Sequence, residues 1–136
     1  MVRGVKIEVS GKWSAFEPEA DIFSSLQDEL GPEVGLQHLT DVDGILFEFW
    51  CDDSGRCFRE EQRNTELEEV IQSGWYGPAV IMKRKELNDQ TRPQDYYDLL
   101  DGWNGTDDLK TFLKKKMRFD FAEQGQQITE LIGVCI

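Results

Sequence analysis

The stretch ILFEFWC, Ile45 to Cys51, alternates in a way that decides the fold. Ile45, Phe47, Phe49 and Cys51 fall on one side of a period of two, with Leu46, Glu48 and Trp50 on the other, which is the pattern of a β-strand. Asp53-Ser54-Gly55 follows with turn chemistry. A type I turn closed by Gly55 in the left-handed conformation predicts a three-residue hairpin loop and a return strand over Arg56 to Glu60. In that register Asp52 faces Arg56, Cys51 faces Cys57 and Trp50 faces Phe58. Because side chains alternate strictly, Ile45, Phe47, Phe49 and Cys51 are then assigned to the core. The opposite face carries Trp50 and Phe58, bordered by Glu48, Asp52, Arg56 and Glu60.

Working outward from the hairpin, the chain mixes short strands with short helices. Upstream, Val5, Ile7 and Val9 alternate with Lys6, Glu8 and Ser10, a half-buried strand that Gly11 breaks. A helix is predicted over Pro18 to Leu30, with Pro18 in the first turn, Ile22, Phe23, Leu26 and Leu30 on one face, and Gly31-Pro32 as the stop. Val34 to Leu39 reads as a strand and Asp41-Val42-Asp43-Gly44 as a turn. Downstream, Thr65 and Glu68 fit a capping box for a helix to about Ser73, ended by Gly74. Ala79 to Met82 is a buried strand, and Pro93 to Asp101 a short helix. A further helix runs from Thr106 to about Lys116, with Asp107 and Asp108 at its start and Lys114, Lys115 and Lys116 at its end, matching the helix dipole. Met117 to Phe121 and Ile128 to Ile136 read as strands. The order implies one compact α+β domain over residues 1–136, a largely antiparallel sheet with three to four short helices packed on it.

Charge narrows the partner. Residues 1–55 hold 3 basic and 12 acidic side chains, and residues 56–136 hold 12 basic and 15 acidic, within a chain of net charge −12. Such a field repels phosphate backbones and anionic lipid and attracts basic protein surfaces. Direct nucleic-acid binding is therefore disfavoured, since Lys83-Arg84-Lys85 and Lys114 to Arg118 make at best a small patch. No run of 18 apolar residues is present, so no membrane span is expected. The N-terminus lacks the pattern of a secretion signal, and the three cysteines are an odd number at no framework spacing, which together favour a reducing cytoplasm.

The chemistry-bearing residues form no constellation. His38 is the chain's one histidine, which cannot make a histidine-rich zinc site. Asp41-Val42-Asp43-Gly44 with Glu48 begins like a calcium loop but lacks its third acid and its bidentate glutamate. Gly102 to Thr106 is neither a P-loop nor a dinucleotide fingerprint. No catalytic residue, metal ligand or cofactor is assigned. The sequence thus predicts a non-enzymatic acidic binding or inhibitor protein. Its expected binding residues are Asp41, Asp43, Glu48, Trp50, Asp52, Asp53, Arg56 and Phe58, presented to a basic protein surface. Against this, a helix covering Trp50 and Phe58 would make them a second core layer. The alternative function is a small-molecule binder or small enzyme with a pocket among Trp50, Phe58, Trp75, Tyr76 and Trp103, in which Arg56 or His38 orients the ligand. Complementarity between Lys114 to Lys116 and the acidic region leaves self-association open.

Overall fold

The computed structural model describes residues 3–19, 21–86, 92–100 and 103–116. The strands predicted over Met117 to Phe121 and Ile128 to Ile136 lie outside the described residues.

The fold is α+β. Five strands, β1 (Gly4–Ile7), β2 (Trp13–Phe16), β3 (Val34–Val42), β4 (Ile45–Asp52) and β5 (Ala79–Arg84), form one sheet in the order β2-β1-β5-β4-β3. Every pairing is antiparallel. Three helices accompany it among the described residues: α1 (Ile22–Leu30), α2 (Thr65–Ile71) and α3 over residues 106–116.

The run around Phe49 is a strand with Phe47, Phe49 and Cys51 on the core face, as its alternation predicts. Its neighbours differ from expectation. β4 turns back through Asp43 and Gly44, both with positive φ (54° and 81°), and pairs with β3. This two-residue Asp-Gly turn matches the twist of the flanking strands. The other edge of β4 pairs with β5, from Leu46↔Arg84 to Cys51↔Ala79. A strand has two edges, and both are taken, so Arg56 to Glu60 cannot pair with β4 and forms a loop instead. Gly55 does adopt the left-handed conformation (φ 85°), so the turn is real while the return strand is not. Cys51 consequently lies beside Gly35 and Ala79 rather than opposite Cys57. Cys57 packs against the loop before β5, where a Cβ on Gly77 would come within 2.8 Å of its Sγ.

Both faces of the sheet are covered. On one, α2 and α3 bury Leu67, Val70, Ile71, Leu109 and Leu113 against Val5, Ile7, Phe47, Phe49 and Ile81. On the other, α1 buries Ile22, Leu26 and Leu30 against Phe16, Trp50, Val80, Met82 and Tyr96. Trp50 is therefore a core residue beneath a helix. Phe23, expected on the apolar face of α1, points outward and is 42% exposed.

Element ends follow side-chain capping. α1 starts after Asp21, whose carboxylate accepts from the backbone N–H groups of Phe23 and Ser24, so Pro18 and Glu19 lie before the helix rather than in its first turn. α2 is capped by Asn64 rather than Thr65: Asn64 Oδ1 accepts from Leu67 N (3.1 Å), and its Nδ2 donates to Ile7 O (3.1 Å) and Gly77 O (3.0 Å). Of the helix expected over Pro93 to Asp101, one 3-10 turn at Pro93–Asp95 forms among the described residues, and Asp101 lies outside them. Tyr96 and Tyr97 then run extended beside the end of β5, bridging Arg84 and donating to Lys83 O.

Candidate functional site

The strongest polar feature is internal. Glu48 and Arg84 are 2% and 3% exposed and meet across β4 and β5, with Arg84 Nη1 donating to Glu48 Oε2 at 2.6 Å. Tyr96 Oη donates to Glu48 Oε1 at 2.7 Å, and Trp50 Nε1 donates to the same oxygen at 3.0 Å. Burial and the adjoining Glu48 carboxylate push the Tyr96 hydroxyl well above its ordinary range, so it stays a donor. Arg84 is held more firmly charged than usual: burial opposes its charge, and Glu48 outweighs the burial. Each member is satisfied and enclosed, which makes this a core network. Glu48 and Trp50, expected on a binding face, are thereby removed from it. Arg84 stands opposite Leu46 and Glu48 opposite Met82, so the pair is a diagonal one across β4 and β5, and no local pattern in the sequence signals it.

The loop after β4 builds a surface site. Its first carboxylate, Asp52, is 8% exposed and structural: it accepts from Ser54 N (3.0 Å) and from Arg56 Nη2 (2.8 Å). Asp53 is exposed, folded over Gly35, and no cation pairs with it among the described residues. Phe58 is 70% exposed and stands edge-on to Tyr76, ring centroids 5.8 Å apart at 81°. Together with Trp75 these residues wall a cleft of about 90 Å³ whose floor is Cys51. Burial and the neighbouring Asp53 and Asp52 carboxylates push the Cys51 thiol up to about 11, so the floor is uncharged near neutrality. Burial likewise raises the Cys57 thiol.

The structure thus brings together Phe58, Tyr76, Trp75, Asp52 and Asp53, with Arg56 tied to Asp52. It keeps apart the rest of the expected aromatic set. Trp50 lies under α1, and Trp103 packs with Phe47 and Phe112 at the far end of the sheet (centroids 6.5 and 5.4 Å). Asp41 and Asp43 sit at the β3–β4 turn, where Asp41 Oδ1 accepts from Gly44 N (2.7 Å) and Asp43 lies 3.4 Å from Lys116. His38 is half-buried on β3 between Phe49 and Trp75, and burial lowers its pKa. No group of three or more histidines, cysteines and carboxylates set to hold a metal occurs among the described residues, nor any helix long and apolar enough to cross a membrane.

A second concave surface lies along the outer side of α1. Glu17, Glu19, Asp21, Asp28 and Glu29 line a groove of about 460 Å³. Within it Glu29 pairs with Lys6 (3.0 Å), and the Ser24 side chain and backbone hold Asp21 below the usual carboxylate range. The exposed Phe23 stands one residue before Ser24 on this helix. Period-based reading missed it, because Phe23 and Ile22 compete for one face and the buried stripe Ile22, Leu26, Leu30 has room for one of them. No protein-family model, no curated protein and no solved structure matches this chain.

Proposed function

We propose that the protein is a non-enzymatic acidic binding or inhibitor protein that engages a basic protein partner. One observation carries the reading: Phe58, 70% exposed, stands on Tyr76 beside Asp53, which has no cation partner among the described residues, an apolar anchor with an acidic rim. Anchors of this kind dominate interface energetics, and surrounding charge sets the encounter rate. The anchor belongs to Phe58 and Tyr76 and the acidic field to Glu17, Glu19, Asp28 and Asp53. Glu48 and Trp50 support the sheet from inside. The aromatic cleft's volume, about 90 Å³, is far below the several hundred usual for metabolite pockets, and the larger groove along α1 is lined mainly by carboxylates, which together disfavour an aromatic small-molecule pocket. Lys114 and Lys116 already face Glu69 and Asp43 of their own chain, so the partner is read as a different protein rather than a second copy. The reading keeps a cytoplasmic setting, in keeping with two free thiols at Cys51 and Cys57.

The test is capture of the partner from host lysate at low and high salt, followed by association rates for the purified pair. Charge reversal at Glu17, Glu19, Asp28 and Asp53 is expected to slow association at least tenfold at low ionic strength and to flatten its salt dependence. A rate indifferent to both salt and these substitutions overturns the proposal.

A further inference from the structure

The cleft after β4 has a more specific chemistry than general acidity. Three aromatic residues, Phe58, Trp75 and Tyr76, line it together with Gln37, Gly74 and the uncharged Cys51 thiol; of its two carboxylates Asp52 is held by Arg56, and the exposed Asp53 has no cation among the described residues. Ring faces attract cations, and more so when the cation is partly desolvated. The neighbouring guanidinium groups do not oppose this: Arg56 is bound to Asp52 and Ser54, and Arg59 lies 3.6 Å from Glu61. We propose that this cleft, formed by Phe58, Tyr76 and Trp75 with Asp53 at its mouth, receives a single lysine side chain of the basic partner. The inference rests on the reading of the protein as a binder of basic proteins and names the contact at its centre.

Size and shape select lysine. A volume of about 90 Å³ holds roughly three waters' worth of matter, enough for an ammonium head and the end of its methylene stem. Guanidinium is flat and prefers to lie on a broad ring face, whereas an ammonium is a compact point charge. Phe58 and Tyr76 meet at 81°, making a corner that surrounds a compact head from two sides and offers no parallel slot for a plate. Trp75 is 4% exposed and fixed by Trp75 Nε1 donating to Pro78 O (3.4 Å), so that wall is rigid.

The experiment uses three capped hexapeptides, alternating glycine with lysine, with acetyl-lysine or with arginine, titrated into the whole protein at low salt and followed by amide and indole chemical shifts. The lysine peptide is expected to shift Asp53, Gly74, Tyr76 and the Trp75 indole. Acetylation abolishes those shifts, and arginine shifts them less. Phe58→Ala and Asp53→Asn, both at exposed positions and with the fold checked by circular dichroism, are each expected to weaken lysine-peptide binding about tenfold. If the lysine peptide binds with shifts elsewhere and neither substitution matters, the cleft is not the receptor, while the basic-partner reading stands. Equal occupancy of the cleft by the acetylated peptide overturns the ammonium assignment. If neither cationic peptide binds at low salt, the lysine receptor fails, and the reading beneath it is then judged by the salt dependence of the captured partner.

Discussion

At the scale of the residue, Glu48 shows how a single charge can mislead and then explain. In a strand with one wet face it would be a neutral surface position. Here it is the acceptor for Arg84, Tyr96 and Trp50 at once. Glu48→Ala leaves a buried guanidinium without its counter-charge, and we expect a loss of about 3–5 kcal/mol in denaturant melts. Removing both charges, as Glu48→Leu with Arg84→Met, is expected to recover part of that loss, because the desolvation of the second charge disappears with it. An effect of Glu48→Ala below about 1 kcal/mol would mean that the pair is hydrated. His38 gives a pH signature. Burial lowers its pKa from 6.5, so the folded chain binds the proton less readily than the unfolded chain. Stability contributed by His38 is therefore full above about pH 6.5, declines as pH falls below it, and levels off once the folded pKa is passed. Urea midpoints at about pH 5 and about pH 7.5 should differ less in His38→Gln than in the parent.

At the scale of the element, what could be read in the chain was periodicity, and what could not was adjacency. The alternation around Phe49 locates β4 and its core face, and the apolar stripes locate α1 and α2 to within a few residues. The return strand failed for a non-local reason: β3 and β5 occupy both edges of β4, a fact that no local turn signal carries. β2 is missed because Trp13 to Phe16 is four residues long with weak alternation. The helix after Pro93 yields to pairing of Tyr96 and Tyr97 with the end of β5, tertiary bonding overriding local propensity. Of the surface site, Phe58, Asp53, Trp75 and Tyr76 were legible as residues, but their convergence depends on the loop that replaces the hairpin. Asn64 is the position where three elements meet. Asn64→Ala removes the α2 cap and takes a donor from each of the Ile7 and Gly77 carbonyls in a fully buried place, so we expect about 3 kcal/mol, beyond a cap alone. Asn64→Ser, which keeps an acceptor for Leu67 N, should recover the cap's share and no more. Circular dichroism melts of the two variants would separate the contributions.

At the scale of the whole molecule, acidity and architecture are distinct matters. The negative field is a property of the first 55 residues and bears on partners, whereas the fold is set by where apolar side chains go. The sequence conveys the α+β class because strand and helix periods are both present, but not that β4 would be buried on both sides. That last feature has a thermodynamic consequence. The sheet is a partition between two apolar compartments, one beneath α1 and one beneath α2 and α3, and few side chains reach across it. Free-energy changes from substitutions on opposite sides should therefore sum. Leu26→Ala and Leu67→Ala, each costing about 2–5 kcal/mol alone, should together give their sum to within about 0.5 kcal/mol. Leu26→Ala with Met82→Ala, which enlarge a common void, should depart from additivity by more than that. The molecule would then tolerate drift in one compartment without readjustment in the other, and the strands between them would be the positions at which the two histories must agree.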